Sequence, residues 1–363
     1  MIIKSFKAKN FRNIESCKLE FSDGTNLLLG KNAQGKTNAV EGIYLFARGK
    51  SFRRGDERDL VRFGSEGFSV SVEYEDKDGV STLEYAVFGR ERRRKKNGYR
   101  ISRASEMIGS FRAVLFCPDD LTLVKGGPEE RRDFLNVAIA QCYPEYLSVY
   151  SDYKKALENR NYILKNASKG LYFDEGELTA WSESLSEYAS YIYLRRKDYI
   201  KKLEVYAKDF MNKISDGEEE LSMSYKSDIS KDFDFAERER VKEEYKRVFS
   251  ENIAREKGAG ITLFGPHRED ILIKINGNDA RLYSSQGQQR SIVLSLKMAE
   301  GEVSRELYSE YPVFLFDDVL SELDDRRQNF VLSGLSGRQI IITSCEMLRV
   351  AGRVTMVEGG RFS

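Results

Sequence analysis

The chain has 363 residues, of which 40% are apolar and 32% are charged, and its 59 Lys and Arg balance 58 Asp and Glu. With a formal net charge of only +1, any nucleic-acid site must be a local basic patch. No run approaches the roughly 18 apolar residues of a membrane span, and the start lacks a signal-peptide core, so we expect a cytoplasmic protein without membrane contacts. The four cysteines are scattered without a C-x-x-C pair, which favours reduced, buried thiols over a disulfide frame or a zinc site.

The first part of the chain, to about residue 115, has the alternation and turn residues of an antiparallel sheet. Turn signals at residues 22–24, 78–79 and 97–98 separate the apolar segments, as hairpins require. One helix interrupts this pattern, from about residue 37 to 46. The predicted strands cover residues 2–6, 18–21, 26–29, 68–75, 82–88 and a segment that starts at residue 99.

A phosphate-binding loop is predicted at residues 30–37, where GKNAQGKT follows an apolar strand, precedes a helix and fits the pattern G-x-x-x-x-G-K-[ST]. Backbone N–H groups of such a loop surround phosphate oxygens, and the N-terminus of the helix adds partial positive charge. Lys36 would reach the β- and γ-phosphates of ATP, and Thr37 would hold Mg²⁺. The predicted nucleotide contacts are Gly30, Lys31, Asn32, Ala33, Gln34, Gly35, Lys36 and Thr37.

From about residue 129 to 249 the sequence becomes charged and helix-forming. A heptad-like apolar stripe runs from Leu185 to Phe210 with a single break at Arg196, and a weaker stripe covers residues 147–164. Two antiparallel helices that share an aromatic seam would satisfy both stripes. Acidic segments at residues 174–177 and 216–220 are predicted to connect helices.

After about residue 260 the strand pattern returns, at residues 271–275 with a turn at 276–277. A helix is expected from Gln289, followed by two short apolar runs at 313–316 and 340–342 that are typical of buried parallel strands. The predicted fold class is therefore α/β, a split P-loop ATPase head with an inserted helical arm. The predicted domains are residues 1–118 and 261–363 for the head and 119–260 for the helical insertion.

Asp317 and Asp318 follow the apolar run at 313–316, at the strand end where ligands bind in open α/β sheets. Asp317 would complete the Mg²⁺ site, and Asp318 would orient or deprotonate the attacking water, so Lys36, Asp317 and Asp318 are the candidate catalytic residues. Thr343, at the end of the neighbouring strand, and Arg12, on the turn after the first strand, are further candidates for phosphate contact.

A second small, polar helix entrance occurs at residues 283–291 (YSSQGQQRS). Its Ser285, Gly287 and Gln288 resemble the S-x-G-Q signature motif of ABC-type ATPases. A Ser hydroxyl, a Gly N–H and a helix N-terminus all favour an anion. In that superfamily the anion is the phosphate of ATP held by the opposite subunit, and Asp324 stands at the place of the D-loop that crosses the same interface.

Motifs along almost the whole chain resemble the RecF family of SMC-like ABC ATPases. They are residues 10–13 (NFRN), 30–37, 50–53 (KSFR), 116–121 (FCPDDL), 124–126 with 131–132, 265–268 (GPHR), 285–290 and 315–324 (LFDDVLSELD). The resemblance implies ATP and Mg²⁺ as cofactors, an ATP-dependent homodimer with slow ATP hydrolysis, and binding of double-stranded, gapped or junction DNA. It also implies RecR-like and RecO-like partners, and indirect action on RecA in recombinational repair and replication maintenance.

The sequence departs from the wider ABC pattern at two positions. Asp318 stands where most members have Glu, a shorter reach to water that is consistent with slow turnover. No His follows the strand at residues 343–345. The single histidine, His267, would either contact nucleotide or shape its loop, and either Asp119 or Asp120 would serve the glutamine-loop position.

A basic run precedes the turn at residues 97–98 and would place many cations at the tip of a hairpin. The candidate DNA contacts there are Arg92, Arg93, Arg94, Lys95 and Lys96, with Arg53 as a further candidate and Arg54, Lys201 and Lys202 as weaker ones. Such contacts would carry no sequence information but would be strongly salt-dependent. The alternative is a solvated strand edge whose charge prevents aggregation.

Two other functions compete with an ATP-dependent DNA clamp. In the first, hydrolysis is incidental, and the head is a nucleotide-gated platform for protein partners. In the second, the chain is a transporter ATPase, which would need a membrane partner and a coupling segment.

Overall fold

The computed structural model describes residues 1–229, 233, 237–348 and 351–363, which pack into two compact units. The first unit contains Met1–Leu121, Tyr206–Glu219 and Ser285–Ser363, and the second contains Thr122–Val205 and Glu220–Ser284. The units differ from the predicted domains mainly at residues 206–219, which pack with the first unit, and at residues 261–284, which pack with the second. Residues 230–232 and 234–236 of the predicted helical segment lie outside the described residues.

The strands are β1 Ile2–Phe11, β2 Ile14–Glu20, β3 Thr25–Leu29, β4 Gly67–Asp76, β5 Gly79–Phe88, β6 Glu91–Lys96, β7 Tyr99–Ile101, β8 Ala113–Phe116, β9 Leu221–Lys226, β10 Asp270–Ile275, β11 Asn278–Asp279, β12 Val313–Asp317, β13 Ile340–Ser344, β14 Gly352–Glu358 and β15 Arg361–Phe362. The helices are α1 Lys36–Arg48, α2 Thr122–Lys125, α3 Pro128–Cys142, α4 Pro144–Ser168, α5 Glu175–Ile214, α6 Arg238–Glu251, α7 Ile253–Ala259, α8 Ala280–Tyr283, α9 Gln286–Tyr308 and α10 Asp325–Gly334. Among these described helices, none combines the length and apolar character that crossing a membrane requires.

A mostly parallel sheet forms the core of the first unit, in the order β15-β14-β3-β13-β12-β8. Its central strands β3, β13 and β12 are parallel neighbours, and β12 and β13 are buried along their whole length. Both faces of these strands must be covered, which explains why residues 313–316 and 340–342 are continuously apolar. The two predicted parallel strands are therefore present.

An antiparallel sheet in the same unit has the order β2-β1-β4-β5-β6-β7. One face is apolar and buried, with Phe6, Phe11 and Phe68 almost inaccessible to solvent. The other face carries polar and charged side chains, as expected for an antiparallel sheet with one solvated side. The turn at Asn97 and Gly98 joins β6 to β7, and both residues have positive φ angles, of 52° and 81°, as a tight hairpin turn requires.

The second unit combines helices with the small sheet β11-β10-β9. Helices α4 and α5 run antiparallel: the Tyr191 hydroxyl donates to Glu145 at 2.8 Å, and Arg160 donates to Ser182 at 2.9 Å. The predicted helix pair is therefore present. Its heptad break, Arg196, is fully buried and donates to the Tyr146 hydroxyl and the Pro266 carbonyl, at 3.2 and 2.6 Å.

Candidate nucleotide-binding site

The parallel sheet brings the carboxyl ends of three strands together. In its register Thr343 of β13 lies beside Asp317 of β12 and beside Leu28 of β3. The phosphate loop leaves β3 directly after Leu29, so its start lies at the same edge as both polar side chains. This edge is where open α/β sheets bind ligands.

The phosphate loop has the backbone that its sequence predicts. Gly35 has φ of 114° and caps α1, where a Cβ would lie 2.9 Å from the Asn13 side chain, and a Cβ on Gly30 would lie 2.2 Å from the Val357 carbonyl oxygen. Both positions therefore require glycine. Because the cap residue has no side chain, the first N–H groups of α1 are left to bind an anion.

Neighbouring segments hold the loop in place. The Asn13 side chain donates to the Ala33 carbonyl at 3.2 Å, and the Gly359 and Gly360 N–H groups donate to Gln34, at 2.6 and 2.8 Å. The buried Lys36 ammonium donates to the carbonyls of Gly30 and Lys31, at 2.7 and 3.0 Å. The loop is thus preformed around a cation.

Asp317 is the centre of a buried polar cluster. Its Oδ1 accepts hydrogen bonds from the hydroxyls of Thr37, at 2.8 Å, and Thr343, at 2.9 Å. Burial raises the pKa of Asp317, and the two hydroxyls oppose this rise by stabilising the charged form. A buried carboxylate next to a hydroxyl of the phosphate loop is the oxygen donor set that Mg²⁺ prefers.

Asp318 lies at the turn that leaves β12, and its backbone φ of 54° is in the left-handed region. Its N–H donates to the Thr343 hydroxyl at 2.9 Å, so Thr343 contacts both aspartates. Asp318 is partly exposed, whereas Asp317 is buried. The structure therefore separates an inner carboxylate, suited to a metal, from an outer one that faces solvent.

Arg12 and Arg53 both lie near Glu41, a fully buried carboxylate in α1. Arg12 donates to both Glu41 oxygens, at 3.0 and 2.6 Å, and Arg53 lies 3.6 Å from Glu41 while donating to Asn38 at 2.9 Å. The positive charge of Arg53 also opposes the rise that burial causes in the pKa of Asp317. The structure therefore places Arg53, predicted as a DNA contact, beside the phosphate loop.

Ser285, Gly287, Gln288 and Asp324 form a second cluster in the first unit. Ser285 and Gln288 make a reciprocal cap at the start of α9: the Gln288 N–H donates to Ser285 Oγ at 3.2 Å, and the Ser285 N–H donates to Gln288 Oε1 at 2.8 Å. Asp324 caps α10 by accepting from the Arg327 N–H at 2.9 Å. The Arg327 side chain joins the two helices, since it pairs with Asp324 and donates to the Gly287 carbonyl at 3.1 Å.

The two candidates for the glutamine-loop position have different surroundings. Asp120 accepts from the Cys117 N–H at 2.8 Å and forms an ion pair with the buried Lys297 of α9 at 3.1 Å. Asp119 is exposed. The Asp120 carboxylate is therefore used in contacts within the unit, whereas the Asp119 side chain lies at the surface.

His267 lies inside the second unit. Its Nε2 is 3.2 Å from the Thr262 carbonyl, which can only accept, so the Tyr153 hydroxyl donates to Nδ1 at 2.6 Å. Burial lowers the pKa of His267 to about 4, which keeps the ring neutral. These contacts agree with the loop-shaping alternative.

The basic run lies along β6, which the sequence did not predict as a strand, rather than at the hairpin tip. Arg92, Arg94 and Lys96 share one face and contact Glu57, the Tyr85 ring and Ser110, respectively. Arg93 and Lys95 lie on the opposite face. The expected concentration of cations at the tip is therefore wrong, because alternation along the strand divides them between two faces.

The sequence did not single out several residues that organise this site. Glu41 holds Arg12, Asn13 braces the phosphate loop, and Arg327 joins the α9 and α10 starts. An acid within the apolar helix sequence AVEGIYLFA was a visible signal for Glu41. The others are polar residues in polar segments, where only the fold shows their partners.

The parallel sheet, the phosphate loop, the acidic end of β12 and the S-x-G-Q start of α9 together define the ATPase head of the SMC-like class. The model of the family described as RecF/RecN/SMC N terminal domain matches residues 2–358. With that match and the relatives described next, the chain belongs to the RecF family of this class, and the predicted family and fold class are confirmed.

Two curated relatives and one solved structure show the extent of the similarity. The DNA replication and repair protein RecF of Clostridioides difficile (strain 630) is 38% identical over 350 residues, which are 96% of this chain and 92% of the relative. That of Bacillus subtilis (strain 168) is 35% identical over 369 residues, with 99% of both chains covered. A structure of the recombination mediator protein RecF-ATP in the RecFOR pathway superposes with a TM-score of 0.92 at 35% identity, covering 100% of this chain and 97% of the other.

Proposed function

We propose that the chain is an ATP-dependent DNA-binding protein of recombinational repair and replication maintenance in the cytoplasm. ATP with Mg²⁺ closes a homodimer on double-stranded, gapped or junction DNA, and slow, DNA-stimulated hydrolysis reopens it. RecR-like and RecO-like partners act with it to direct a RecA-type recombinase. The relatives named DNA replication and repair protein RecF, and the RecF structure determined with ATP, support this proposal.

The observation that carries the proposal is that one unit contains both the phosphate loop beside Asp317 and the exposed Ser285 start of α9, which we propose as the two halves of a composite ATP site. The first half would hold the nucleotide: the loop at residues 30–37 would surround the phosphates, Lys36 would neutralise them, and Thr37 with Asp317, which are already hydrogen-bonded, would hold Mg²⁺. Mg²⁺ and the bound ATP supply the phosphoryl chemistry. Asp318 positions or deprotonates the attacking water, and Thr343 fixes both aspartates.

The second half is the start of α9, which would bind the phosphate of the other copy. Ser285 is exposed at a helix N-terminus, and Asp324 caps the adjacent helix α10, which Arg327 ties to α9. An exposed helix N-terminus with a hydroxyl favours an anion. Each copy would thus supply one half to each of two sites.

The solution mass tests this arrangement most directly. Light scattering of the 41.7 kDa chain should show a doubled mass with ATP and Mg²⁺, but not with ADP or without nucleotide. Ser285→Arg should stay monomeric while it still binds ATP, because the larger cation fills the place of the phosphate. A wild-type protein that binds ATP and stays monomeric would overturn the proposal.

Two further variants separate the role in association from helix capping. Ser285→Asp retains an excellent N-cap but adds a negative charge, so it should fold normally and fail to dimerise. Thr179→Arg, an exposed hydroxyl-to-arginine change in α5 of the second unit, should dimerise like wild type. Dimerisation of Ser285→Asp with unchanged ATP dependence would exclude a phosphate contact at Ser285.

A further inference from the structure

The solvated face of the antiparallel sheet carries a basic trough. Its volume is about 610 Å³, and small side chains of β4 and β5, namely Ser69, Ser71 and Ala86, line its centre. Lys7 and Lys9 of β1 and Lys18 of β2 line one side, and Arg93 and Lys95 of β6 line the other. We refer to these five cations and the small residues between them as the basic sheet face.

The strand register places the cations in two rows across the sheet. Lys18, Lys7, Ser71, Glu84 and Lys95 form one row of cross-strand neighbours. The other row contains Ser16, Lys9, Ser69, Ala86 and Arg93. Three strand spacings, or about 14 Å, separate β1 from β6. The cations of β1 and β2 and those of β6 therefore flank a shallow channel.

The arrangement on β1 and β2 is unfavourable for the isolated fold. Lys7 lies directly opposite Lys18, and like charges at such a position destabilise an antiparallel pair. On their other side Lys7 and Lys9 face Ser71 and Ser69, which are neutral. Among the described residues, five acids lie on the same face. Glu20 pairs with Lys18 at 2.6 Å, Glu91 with Arg93 at 2.7 Å and Glu75 with Lys4 at 2.8 Å, whereas Glu84 lies 3.9 Å from Lys95 and Glu73 is the next residue after Ser71 on this face of β4. Lys7 and Lys9 are exposed, and none of their direct cross-strand neighbours is an acid: Lys7 lies between Lys18 and Ser71, and Lys9 lies between Ser16 and Ser69.

We propose that the basic sheet face binds the phosphodiester backbone of duplex DNA, with Lys7 and Lys9 as its principal contacts. This inference rests on the proposed function and assigns a surface to its DNA binding. Lysines around a floor of serines match phosphate oxygens, because the ammonium groups neutralise charge and the hydroxyls donate hydrogen bonds. Two aromatic residues, Tyr85 and Phe88, are among the described residues that line the trough, but Tyr85 is buried and only Phe88 is exposed. Base stacking, the usual means of binding single strands, therefore has little support there.

The test is fluorescence anisotropy with a labelled duplex of roughly 30 base pairs, titrated from about 50 to about 300 mM KCl in the presence of ATP. Lys7→Gln/Lys9→Gln should weaken binding about tenfold or more, and should reduce the slope of log K against log salt by about 1.8, the value for two lost phosphate contacts. The control Lys155→Gln/Lys169→Gln changes two exposed lysines of α4 and its C-terminal cap, and should match wild type. ATP binding should be equal in all three proteins.

A second variant keeps the proposal testable if the first folds poorly. Ser71→Glu places a carboxylate opposite Lys7, which should stabilise the strand pair while repelling phosphate, and it should weaken duplex binding as well. If wild type binds duplex DNA and both variants bind equally well, the basic sheet face is not the contact surface, although the proposed function stands. If the variants lose only single-stranded DNA binding, the duplex assignment is overturned. If wild type binds no DNA with ATP, the proposed function itself fails.

Discussion

At the scale of single residues, Thr343 shows what the sequence could and could not predict. Its place at the end of an apolar run indicated a polar side chain near the phosphates. The structure adds that its hydroxyl donates to Asp317 and accepts from the Asp318 N–H. Sequence order cannot predict this contact, because the two strands are joined only through α10 and pair in a register that the fold determines.

Replacing Thr343 by valine should strongly reduce ATP hydrolysis and have little effect on ATP binding. Valine has nearly the same shape but cannot form hydrogen bonds to the two aspartates, so both would lose the positions that the proposed roles towards the water and the metal require. Loss of a side chain that orients a metal ligand costs about tenfold to a hundredfold in metal affinity or activity. Steady-state hydrolysis and equilibrium binding of a fluorescent ATP analogue measure the two effects. Thr343→Ser, which keeps the hydroxyl, should retain most activity, and equal activity of the valine and serine variants would contradict this role.

His267 should titrate with a pKa of about 4 in the folded protein, against about 6.5 when unfolded. The folded state binds the proton less well, so its stabilising contribution is present above about pH 6.5 and is lost as the pH falls towards 4. Because the chain has a single histidine, its ring proton signals in an NMR titration need no assignment. A midpoint near 6.5 at full folding would show that the ring is not buried as described. Tyr153→Phe removes the donor to Nδ1 and should raise the midpoint.

At the scale of elements, the hydrophobic periodicity of the sequence predicted best those elements whose buried face follows a single regular repeat. The stripe in α5 is buried at Leu185, Ala189, Ile192 and Tyr199, as its spacing indicated. Six of the described strands were not predicted, namely β6, β8, β9, β11, β14 and β15, and for β6 and β9 the physical reason is clear. The sequence of β6, ERRRKK, has charges on both faces and no apolar alternation, so only its pairing with β5 and β7 makes it a strand. β9 follows an acidic segment that was predicted to connect two helices. It pairs instead with β10, and even the paired residues closest in sequence, Lys226 and Asp270, are 44 positions apart, so no local pattern reveals the strand.

The buried ion pair between α4 and α7 should be costly to break from one side. Arg160 and Glu256 are both fully buried, 2.6 Å apart. Arg160→Met leaves an uncompensated buried carboxylate and should cost about 3–5 kcal/mol, whereas Arg160→Met/Glu256→Met should cost clearly less. The chain's single tryptophan, Trp181, packs against the Ile163, Leu164 and Leu178 cluster of the same unit. Its fluorescence during urea unfolding therefore reports the effect.

The matched control for this experiment is Lys155→Met, which breaks the exposed Lys155–Asp152 pair on the same helix. That change should alter the free energy of unfolding by less than about 1 kcal/mol. If the single Arg160 variant is no less stable than the double variant, the buried pair does not have the energetic role assigned to it.

At the scale of the whole molecule, the chain returns twice to complete its first unit. Residues 1–121 supply the phosphate loop, and residues 285–363 supply the acidic strand and the α9 and α10 starts. Motif order along the chain was sufficient to predict this split head, because each motif is a short local pattern. The boundaries of the units were less predictable: the final turns of α5 pack with the first unit, since a continuous helix gives no sequence signal where its packing partner changes.

The reciprocal cap at the start of α9 also makes the proposed association easy to reverse. In a single copy, Ser285 and Gln288 satisfy each other, so a departing phosphate leaves no polar group stranded. An arriving phosphate would not have to displace this cap, because Ser285 Oγ accepts from the Gln288 N–H through a lone pair and keeps its own proton to donate. The start of α9 would therefore keep the same internal hydrogen bonds before and after the proposed association.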